Sequence, residues 1–197
     1  MEYLFSDKTG TLTCNIMEFK KFSAGKYSYG TLESKILIKN LNNLDQSSKY
    51  EKIDNVNFED QKFWDHYNDY THENQKNIHK MLLHLSLCHT ILVDDRTGKF
   101  NASSPDELAL VNAAKFFGYS FARRDEENNM IINIQGKERS YKLLNILEFT
   151  SARKRMSIIV EDVTRDAYGQ PEILVLTKGA DSIIIPRLEE EKSPFLK

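Results

Sequence analysis

The sequence predicts an α+β fold in which an antiparallel, twisted β-sheet is flanked by helices. Helical patterns come first and in a block, at residues 73–89 and 103–118. Four segments of strand-forming residues follow them, and short polar turns join these segments, which is how antiparallel strands are usually connected. Helices followed by strands in this order favour helices packed against one sheet.

Composition favours a globular protein that does not bind nucleic acid. The chain has 197 residues, a length that suits one domain with room for pieces of a second. Hydrophobic residues make up 40% of it, which is sufficient for a packed core. Its formal net charge is −2, whereas nucleic-acid-binding domains usually carry a basic excess. We therefore expect no nucleic-acid partner.

Cysteine content and hydropathy predict a soluble, cytosolic stretch of protein. Cys14 and Cys88 are too few for a disulfide framework, and the apolar surroundings of Cys88 suggest a buried free thiol. No apolar run approaches the roughly 20 residues that span a bilayer. A signal peptide is not predicted, because Asp7 and Lys8 occupy the place of its apolar region.

Strands, turns and a polar loop are predicted before residue 63. The apolar residues Tyr3–Phe5 predict a short buried strand, and Gly10 allows a tight turn after it. Residues 1–30 as a whole are predicted to form strands and turns. Residues 39–62 are rich in Asn, Asp, Ser and Lys and lack periodicity, so they predict a variable surface insertion that is partly mobile.

A group of aromatic residues then indicates a return to packed structure. Its members are Phe58, Phe63, Trp64, Tyr67 and Tyr70. An aromatic cage around a cofactor is the alternative use of such a group. Packing between helices is the favoured interpretation, because aromatic side chains contribute strongly to cores.

Residues 73–89 contain the clearest amphipathic helix. Ile78, Leu82 and Leu85 recur at helical spacing. His84 and Cys88 are four residues apart, so they share a helix face and have the spacing of metal ligands. Two ligands do not make a zinc site, and a core histidine is the favoured interpretation.

A second helix is predicted within residues 103–118. Ser104 suits the N-cap position, Pro105 suits the first helical position, and Glu107 completes a capping box. Gly118 can end this helix, because a glycine adopts the left-handed conformation that often follows a helix.

Four strands are predicted in the C-terminal half, and their turns fall at Gly136 and at residues 166–171. The strands are Met130–Ile134, Tyr141–Phe149, Met156–Val160 and Ile173–Thr177.

The most chemically specific pattern is DKTGTLT at residues 7–13. A carboxylate that follows a buried strand can attack phosphorus, provided that Mg²⁺ and nearby lysine or amide groups neutralise the phosphoryl oxygens. Asp7, Lys8 and Thr9 supply the first of these groups. A surface turn with an N-capping Asp would account for Asp-Lys-Thr alone, but it does not explain all seven residues.

Several stretches together resemble the phospholipid-translocating P-type ATPases, or flippases. DKTGTLT is identical to the phosphorylation motif of the P-type ATPase superfamily. The flippase subgroup is indicated by NASSPDELALVNAAKFFGYSF at 101–121, CHT at 88–90, FTSARKRMSIIV at 149–160 and KGADSII at 178–184. Cation pumps of the superfamily generally carry a KGAPE-like sequence where this chain has KGADS.

The resemblance runs along nearly the whole chain and implies its domain organisation. Residues 1–15 resemble the end of a phosphorylation-domain strand with its motif. Residues 16–197 resemble the nucleotide-binding domain, with 39–62 as its variable polar insertion. Cys14 stands where the flippases usually have Gln, and it follows the phosphorylation motif.

The resemblance implies that ATP and Mg²⁺ are the cofactors. In the family, the aspartate matching Asp7 is phosphorylated by ATP. Its carboxylate and the backbone carbonyl of the position matching Thr9 hold Mg²⁺, and Lys8 lies between them at the nucleotide. We therefore expect Asp7 to be the catalytic residue, Asp7 and Thr9 to be the metal ligands, and Asp7, Lys8 and Thr9 to contact ATP.

The resemblance also implies three nucleotide-binding residues farther along the chain. Phe149 matches a residue that stacks on adenine, Lys178 matches one that lines the nucleotide site, and Glu107 matches one on the adenine side. Each has a simpler alternative: a core Phe at a strand end, a solvated Lys in a turn, and a helix cap. The basic run 153–155 lies near the nucleotide in the family, but alternation along a strand prevents all three side chains from facing ATP.

Function follows from the same resemblance. The parent protein is expected to be an integral membrane protein that flips phospholipids, with this chain as a cytosolic domain. The phospholipid would be carried by transmembrane helices outside this stretch, and an accessory membrane subunit, required by many members, is a candidate partner. The fragment alone is expected to bind ATP with about 4–6 kcal/mol, near millimolar, and not to turn it over.

Two alternatives remain open at this point. A phosphatase with an Asp-x-Thr nucleophile usually has a second carboxylate two residues after the nucleophile, where this chain has Thr9. A non-catalytic interaction module would use the aromatic residues of 58–70 to bind a partner. Steady phosphatase turnover would favour the first alternative, and the absence of any ATP binding would favour the second.

Overall fold

A computed structural model of the chain describes its fold. The residues that it describes are 3, 5–8, 10–30, 52–94, 96–102, 104–163 and 172–188. Thr9 and the predicted turn at 166–171 lie outside the described residues, as does most of the predicted insertion at 39–62.

A small hairpin and helices occupy the N-terminal half. Strands β1 (Lys21–Ala24) and β2 (Tyr27–Gly30) pair antiparallel, and Gly25 makes the turn between them with φ +57°. Helices α1 (Gln61–Asn68) and α2 (Gln75–Leu87) follow.

A short two-stranded ladder joins α2 to the next helix. Its strands are β3 (Leu92–Val93) and β4 (Phe100–Asn101). Helix α3 (Pro105–Phe116) comes next and packs against α2. Gly118 follows α3 with φ +88°, so the prediction that this helix ends at Gly118 is confirmed.

The C-terminal half is a five-stranded antiparallel sheet in which the strands follow one another in chain order. The strands are β5 (Tyr119–Arg124), β6 (Asn129–Ile134), β7 (Lys137–Leu147), β8 (Arg155–Asp162) and β9 (Ile173–Gly179). A short helix α4 (Asp181–Ile184) and a 3₁₀ turn (Ile185–Arg187) come after β9. The predicted α+β class and the four predicted strands are confirmed.

Two differences from the predicted strands matter for the site. Strand β5 was not predicted, although Tyr119 and Phe121 alternate as buried residues along it. Its second half is polar, and a bulge between Phe121 and Arg123 interrupts the alternation. Strand β7 ends at Leu147, so Phe149 lies beyond the sheet and not at the end of a strand.

Two apolar clusters form the core. The first is aromatic and joins the hairpin, α1, α2, α3 and the start of β5; it includes Phe22, Phe63 and Phe117. The second lies between the sheet and the residues of α2 and α3 that face it, and includes Val111, Ile132 and Ile158. Because α3 contributes to both clusters, its orientation is set on two sides.

Two sequence-based expectations in the N-terminal half are wrong, the buried strand at Tyr3–Phe5 and the packing of Tyr70. Tyr3 and Phe5 are 79% and 93% exposed and form no strand, since no strand lies beside them among the described residues. Only 52–62 of the predicted insertion at 39–62 are described; Phe58 there is 8% exposed and Val56 bridges to Phe19, but most of the other side chains are exposed or half-buried, so the insertion stays a prediction. Tyr70 is 78% exposed, although the other four members of its aromatic group pack in the first cluster as predicted.

No helix within the described ranges has the length and apolar character that a membrane crossing requires. A domain boundary near residue 15 stays a prediction.

Candidate functional site

One cleft lies between the N-terminus of α3, the loop after β7 and the end of β9. Its volume is about 710 Å³, which is in the range typical of small-molecule sites. Three residues predicted from the sequence line it together, namely Glu107, Phe149 and Lys178. The other lining residues are Thr90, Ser104, Asp106, Leu110, Glu148, Met156, Gly179 and Ala180.

An ion pair between α3 and β9 forms the floor of this cleft. Nζ of Lys178 donates to Oε1 of Glu107 at 2.8 Å, and the two side chains are 26% and 10% exposed. The backbone N–H and the Oγ1 hydroxyl of Thr90 both donate to Oε2 of Glu107, at 3.2 and 2.9 Å. Both oxygens of a nearly buried carboxylate are therefore engaged.

The pKa of Glu107 reports this environment. Burial alone would raise the pKa, because it disfavours the charged form, but the ammonium of Lys178 and the two donors of Thr90 outweigh burial. The net result is a pKa below the ordinary value of a glutamate. Glu107 is thus a carboxylate acceptor at neutral pH.

The cap of helix α3 forms differently from the predicted capping box. Ser104 is the N-cap, but its hydroxyl accepts from the backbone N–H of Asp106 at 3.2 Å. The side chain of Glu107 faces Thr90 and Lys178 and does not bond back to Ser104, so that half of the prediction is wrong. Helix α3 holds Glu107 at its first turn, where the partial positive charge of a helix N-terminus also favours a carboxylate.

Phe149 lies at the rim of the cleft with 61% of its surface exposed. The alternative of a core Phe is therefore wrong. Nη1 of Arg153 donates to the carbonyl oxygens of Leu147 and Glu148, at 2.9 and 2.8 Å, and so fixes the chain immediately before Phe149. Lys154 closes the same loop with φ +48° and donates its N–H to the carbonyl oxygen of Thr150 at 2.7 Å.

Lys178 stands next to a glycine for a reason that the sequence did not indicate. A Cβ on Gly179 would lie 2.6 Å from the carbonyl oxygen of Lys154 and 2.6 Å from Cβ of Arg155. The glycine thus lets the end of β9 approach the start of β8. Lys178 is also paired, so the alternative of a freely solvated turn lysine is wrong.

Two of the remaining predicted residues, Asp7 and Lys8, are exposed and do not line the cleft. In this segment the N–H of Leu12 donates to the carbonyl oxygen of Lys8 at 2.9 Å, and Gly10 makes the predicted turn with φ +79°. Thr9 lies outside the described residues.

A second, mainly apolar cavity of about 380 Å³ shares the lining residues Leu110, Lys178 and Gly179 with the cleft. His84 and Cys88 both line it. Burial lowers the pKa of His84 and raises the pKa of Cys88 to about 11. Within the described ranges no three His, Cys, Asp or Glu side chains are grouped as metal ligands would be.

Thr90 is the lining residue whose role sequence reasoning missed. The only sequence signal was the tripeptide CHT at 88–90, which contributed to the resemblance without indicating a role. Its contact with Glu107 joins positions 17 residues apart, and no local pattern predicts such a contact.

Comparison with known families matches this chain to one of them. Residues 77–190, which include the whole cleft, match the sequence model described as P-type ATPase, cytoplasmic domain N.

Comparison with individual proteins points in the same direction. The chain is 36% identical to phospholipid-transporting ATPase DNF2 of Saccharomyces cerevisiae over 98% of its own length. It is 41% identical to human phospholipid-transporting ATPase IC over 95% of its length. In both comparisons it spans only 14% of the relative's length.

Proposed function

Because the chain belongs to the P-type ATPases, as their cytoplasmic domain N, we propose that its cleft binds the adenosine part of ATP through Phe149, Glu107 and Lys178. The observation that carries this proposal is the meeting of these three residues in one cleft, although they are far apart in the sequence.

The floor of the cleft suits the edge of an adenine base. Glu107 offers a carboxylate acceptor beside the ammonium donor of Lys178. Adenine carries an amino donor beside a ring-nitrogen acceptor, so its edge complements this pair. The ammonium has three N–H donors, and within the described contacts only one of them is used by Glu107.

The rim of the cleft suits the face of the base. The ring of Phe149 is exposed and is held by a loop whose carbonyl groups are fixed by Arg153. Stacking of a base on an aromatic ring contributes about 1–3 kcal/mol. Because no contacts to the phosphates are assigned to the cleft, we propose a dissociation constant near millimolar, which corresponds to a binding free energy of about 4–6 kcal/mol.

Mg²⁺ and phosphoryl transfer are assigned to the DKTGTLT segment. The carboxylate of Asp7 is exposed, and carboxylate and carbonyl oxygens are the ligands that Mg²⁺ prefers. We propose that Asp7 and the carbonyl of Thr9 contribute to a Mg²⁺ site that the phosphates of ATP help to complete, with Lys8 beside them. Asp7 would be the residue that accepts the phosphoryl group. Since Asp7 and Lys8 do not line the cleft, the chain by itself would bind ATP without turning it over.

At the level of the whole protein, we propose ATP-driven phospholipid translocation across a membrane. The relatives reported above carry the name phospholipid-transporting ATPase, and this chain matches them over nearly its full length. The chain would act as a cytosolic domain of an integral membrane protein. An accessory membrane subunit remains a candidate partner of that protein.

An ATP titration of the chain, followed by ¹H–¹⁵N NMR, tests the nucleotide site. We expect the largest shifts at the cleft residues Thr90, Phe149, Lys178 and Gly179. Tyr70→Ala is the matched control for Phe149→Ala, because both aromatic rings are exposed but Tyr70 does not line the cleft. Tyr70→Ala should bind ATP as the parent does.

Three outcomes would contradict what is proposed for the chain by itself. If ATP shifts no cleft resonance, or if Phe149→Ala binds as tightly as the parent, the cleft is not the site. If the chain alone releases phosphate from a phosphomonoester with steady turnover that Asp7→Asn abolishes, it is a phosphatase.

Translocation requires the whole protein in vesicles. We expect ATP-dependent movement of a fluorescent phospholipid between leaflets, lost in Asp7→Asn. ATP hydrolysis without lipid movement for any headgroup tested would overturn the lipid proposal and leave the nucleotide site intact.

A further inference from the structure

The contact between Thr90 and Glu107 goes beyond the residues that the family resemblance assigns. Thr90 directs two donors at one carboxylate oxygen, and the ammonium of Lys178 takes the other oxygen. A carboxylate held at both oxygens loses its freedom to rotate. The direction of the acceptor that faces the cleft therefore depends on Thr90.

Thr90 is itself held in place from both sides by a buried histidine. His89 is 1% exposed; its Nε2 contacts the carbonyl oxygen of Ser86 at 3.0 Å, and its Nδ1 accepts the N–H of Ile91 at 3.1 Å. The ring also packs edge-on against Phe121, with centroids 4.5 Å apart. The tautomer with a proton on Nε2 satisfies both contacts. This ring thus fixes the backbone before and after Thr90.

We propose that Thr90 is a positioning residue for nucleotide binding, which acts by fixing the Glu107–Lys178 pair at the floor of the cleft. The proposal rests on the proposed function of the cleft and deepens it. Residues 86–91 form a rigid segment that ends helix α2 and carries the two donors to the first turn of α3. Glu107 then holds the ammonium of Lys178 on the nucleotide side, although Lys178 also borders the second cavity.

The protonation of nearby groups allows this role to be measured. The titratable groups that interact with Glu107 are Lys178, Cys88 and His89. Burial lowers the pKa of His89 to about 4 and raises the pKa of Cys88 to about 11, so both are neutral near pH 7. The pKa of Glu107 is below its ordinary value, so its ionised form is retained at higher pH and is lost as the pH falls through that pKa.

The test compares Thr90→Val with Thr90→Ser. Valine has the shape of threonine without the hydroxyl donor, whereas serine retains that donor. We expect Thr90→Val to weaken ATP binding about threefold to tenfold at pH 7 and to raise the pKa of Glu107, followed through its ¹³C-labelled carboxyl resonance without nucleotide. Thr90→Ser should restore both values toward those of the parent.

The carboxyl titration separates this inference from the nucleotide proposal. If Thr90→Val weakens ATP binding but leaves the pKa of Glu107 unchanged, Thr90 contacts ATP directly and the positioning role is wrong. If Thr90→Val changes neither quantity, or if Thr90→Ser fails as badly as Thr90→Val, the positioning role is also wrong. A parent that does not bind ATP would instead contradict the proposed function.

Discussion

The cleft and the DKTGTLT segment differ in how they are built. The floor of the cleft joins Glu107 and Lys178, which are 71 positions apart, and both are at least half-buried. In the DKTGTLT segment, hydrogen bonds among the described residues join positions no more than five apart, and the side chains are exposed. The segment is recognised by its order of residues, whereas the cleft exists only through tertiary structure.

In the folded chain, the residue proposed to react with ATP is therefore separate from the residues proposed to bind it. Among the described residues, the exposed carboxylate of Asp7 has no side-chain partner that sets its geometry, so its chemistry depends on groups brought to it. The acceptor of Glu107 and the donor of Lys178 are already oriented before any ligand arrives, which lowers the entropic cost of binding. We therefore expect changes in the cleft to alter ATP affinity and changes in the segment to leave it unaltered.

The largest effect is expected from Lys178→Met. It removes a charged hydrogen-bond donor, worth about 1.5–3 kcal/mol, and leaves the nearly buried carboxylate of Glu107 without its cationic partner. ATP affinity should fall about tenfold to a hundredfold, measured by calorimetry. The double variant Glu107→Gln/Lys178→Met is the control, because it removes the unpaired charge and should recover part of the loss. Parent-like affinity in Lys178→Met would mean that the floor of the cleft does not contact ATP.

Phe149→Ala should have the next largest effect. Loss of stacking on one face of the base costs about 1–2 kcal/mol, so affinity should fall roughly fivefold to thirtyfold. The melting temperature should stay near that of the parent, because the side chain is 61% exposed. Phe149→Trp retains an aromatic face and should keep most of the affinity. A large fall in melting temperature would instead assign Phe149 a structural role.

A smaller effect is expected from Arg153→Ala. The guanidinium holds two carbonyl groups just before Phe149 and is not proposed to touch ATP. Its loss should loosen the loop and lower affinity about twofold to fivefold, roughly 0.5–1 kcal/mol. Lys154→Asn is the matched control, since asparagine tolerates the positive φ of this position and the neighbouring charge is removed. Equal losses in the two variants would indicate a general effect of positive charge.

Elements with strong local patterns could be predicted from the sequence. The periodicity of Ile78, Leu82 and Leu85 predicted helix α2, and Ser104 with Pro105 marked the start of α3 within one residue. Strands β6 to β9 followed from alternation between turns. Strand β5 was missed because a bulge and two arginines hide its alternation.

The composition of the cleft could be predicted only in part. The family resemblance named Glu107, Phe149 and Lys178, but a carboxylate in the first turn of a helix looked like a capping residue. Its pairing with Lys178 and its contact with Thr90 depend on how α3, β9 and the end of α2 meet. The same holds for the apolar residues Tyr3 and Phe5, whose exposure no local pattern revealed.

Asp7→Asn should have the smallest effect on ATP binding, and it is the most direct test of the difference between the cleft and the DKTGTLT segment. Asp7 does not line the cleft, and changes at independent sites alter one another's effects by no more than about 0.3–0.5 kcal/mol. The ATP affinity of the chain should therefore stay within about twofold of that of the parent. Its melting temperature should equal that of the parent within experimental error. In the whole protein the same substitution should abolish phosphorylation, because it removes the proposed phosphoryl acceptor. A tenfold change in ATP affinity of the chain would show that the segment and the cleft form one binding site, and the contrast between them would no longer hold.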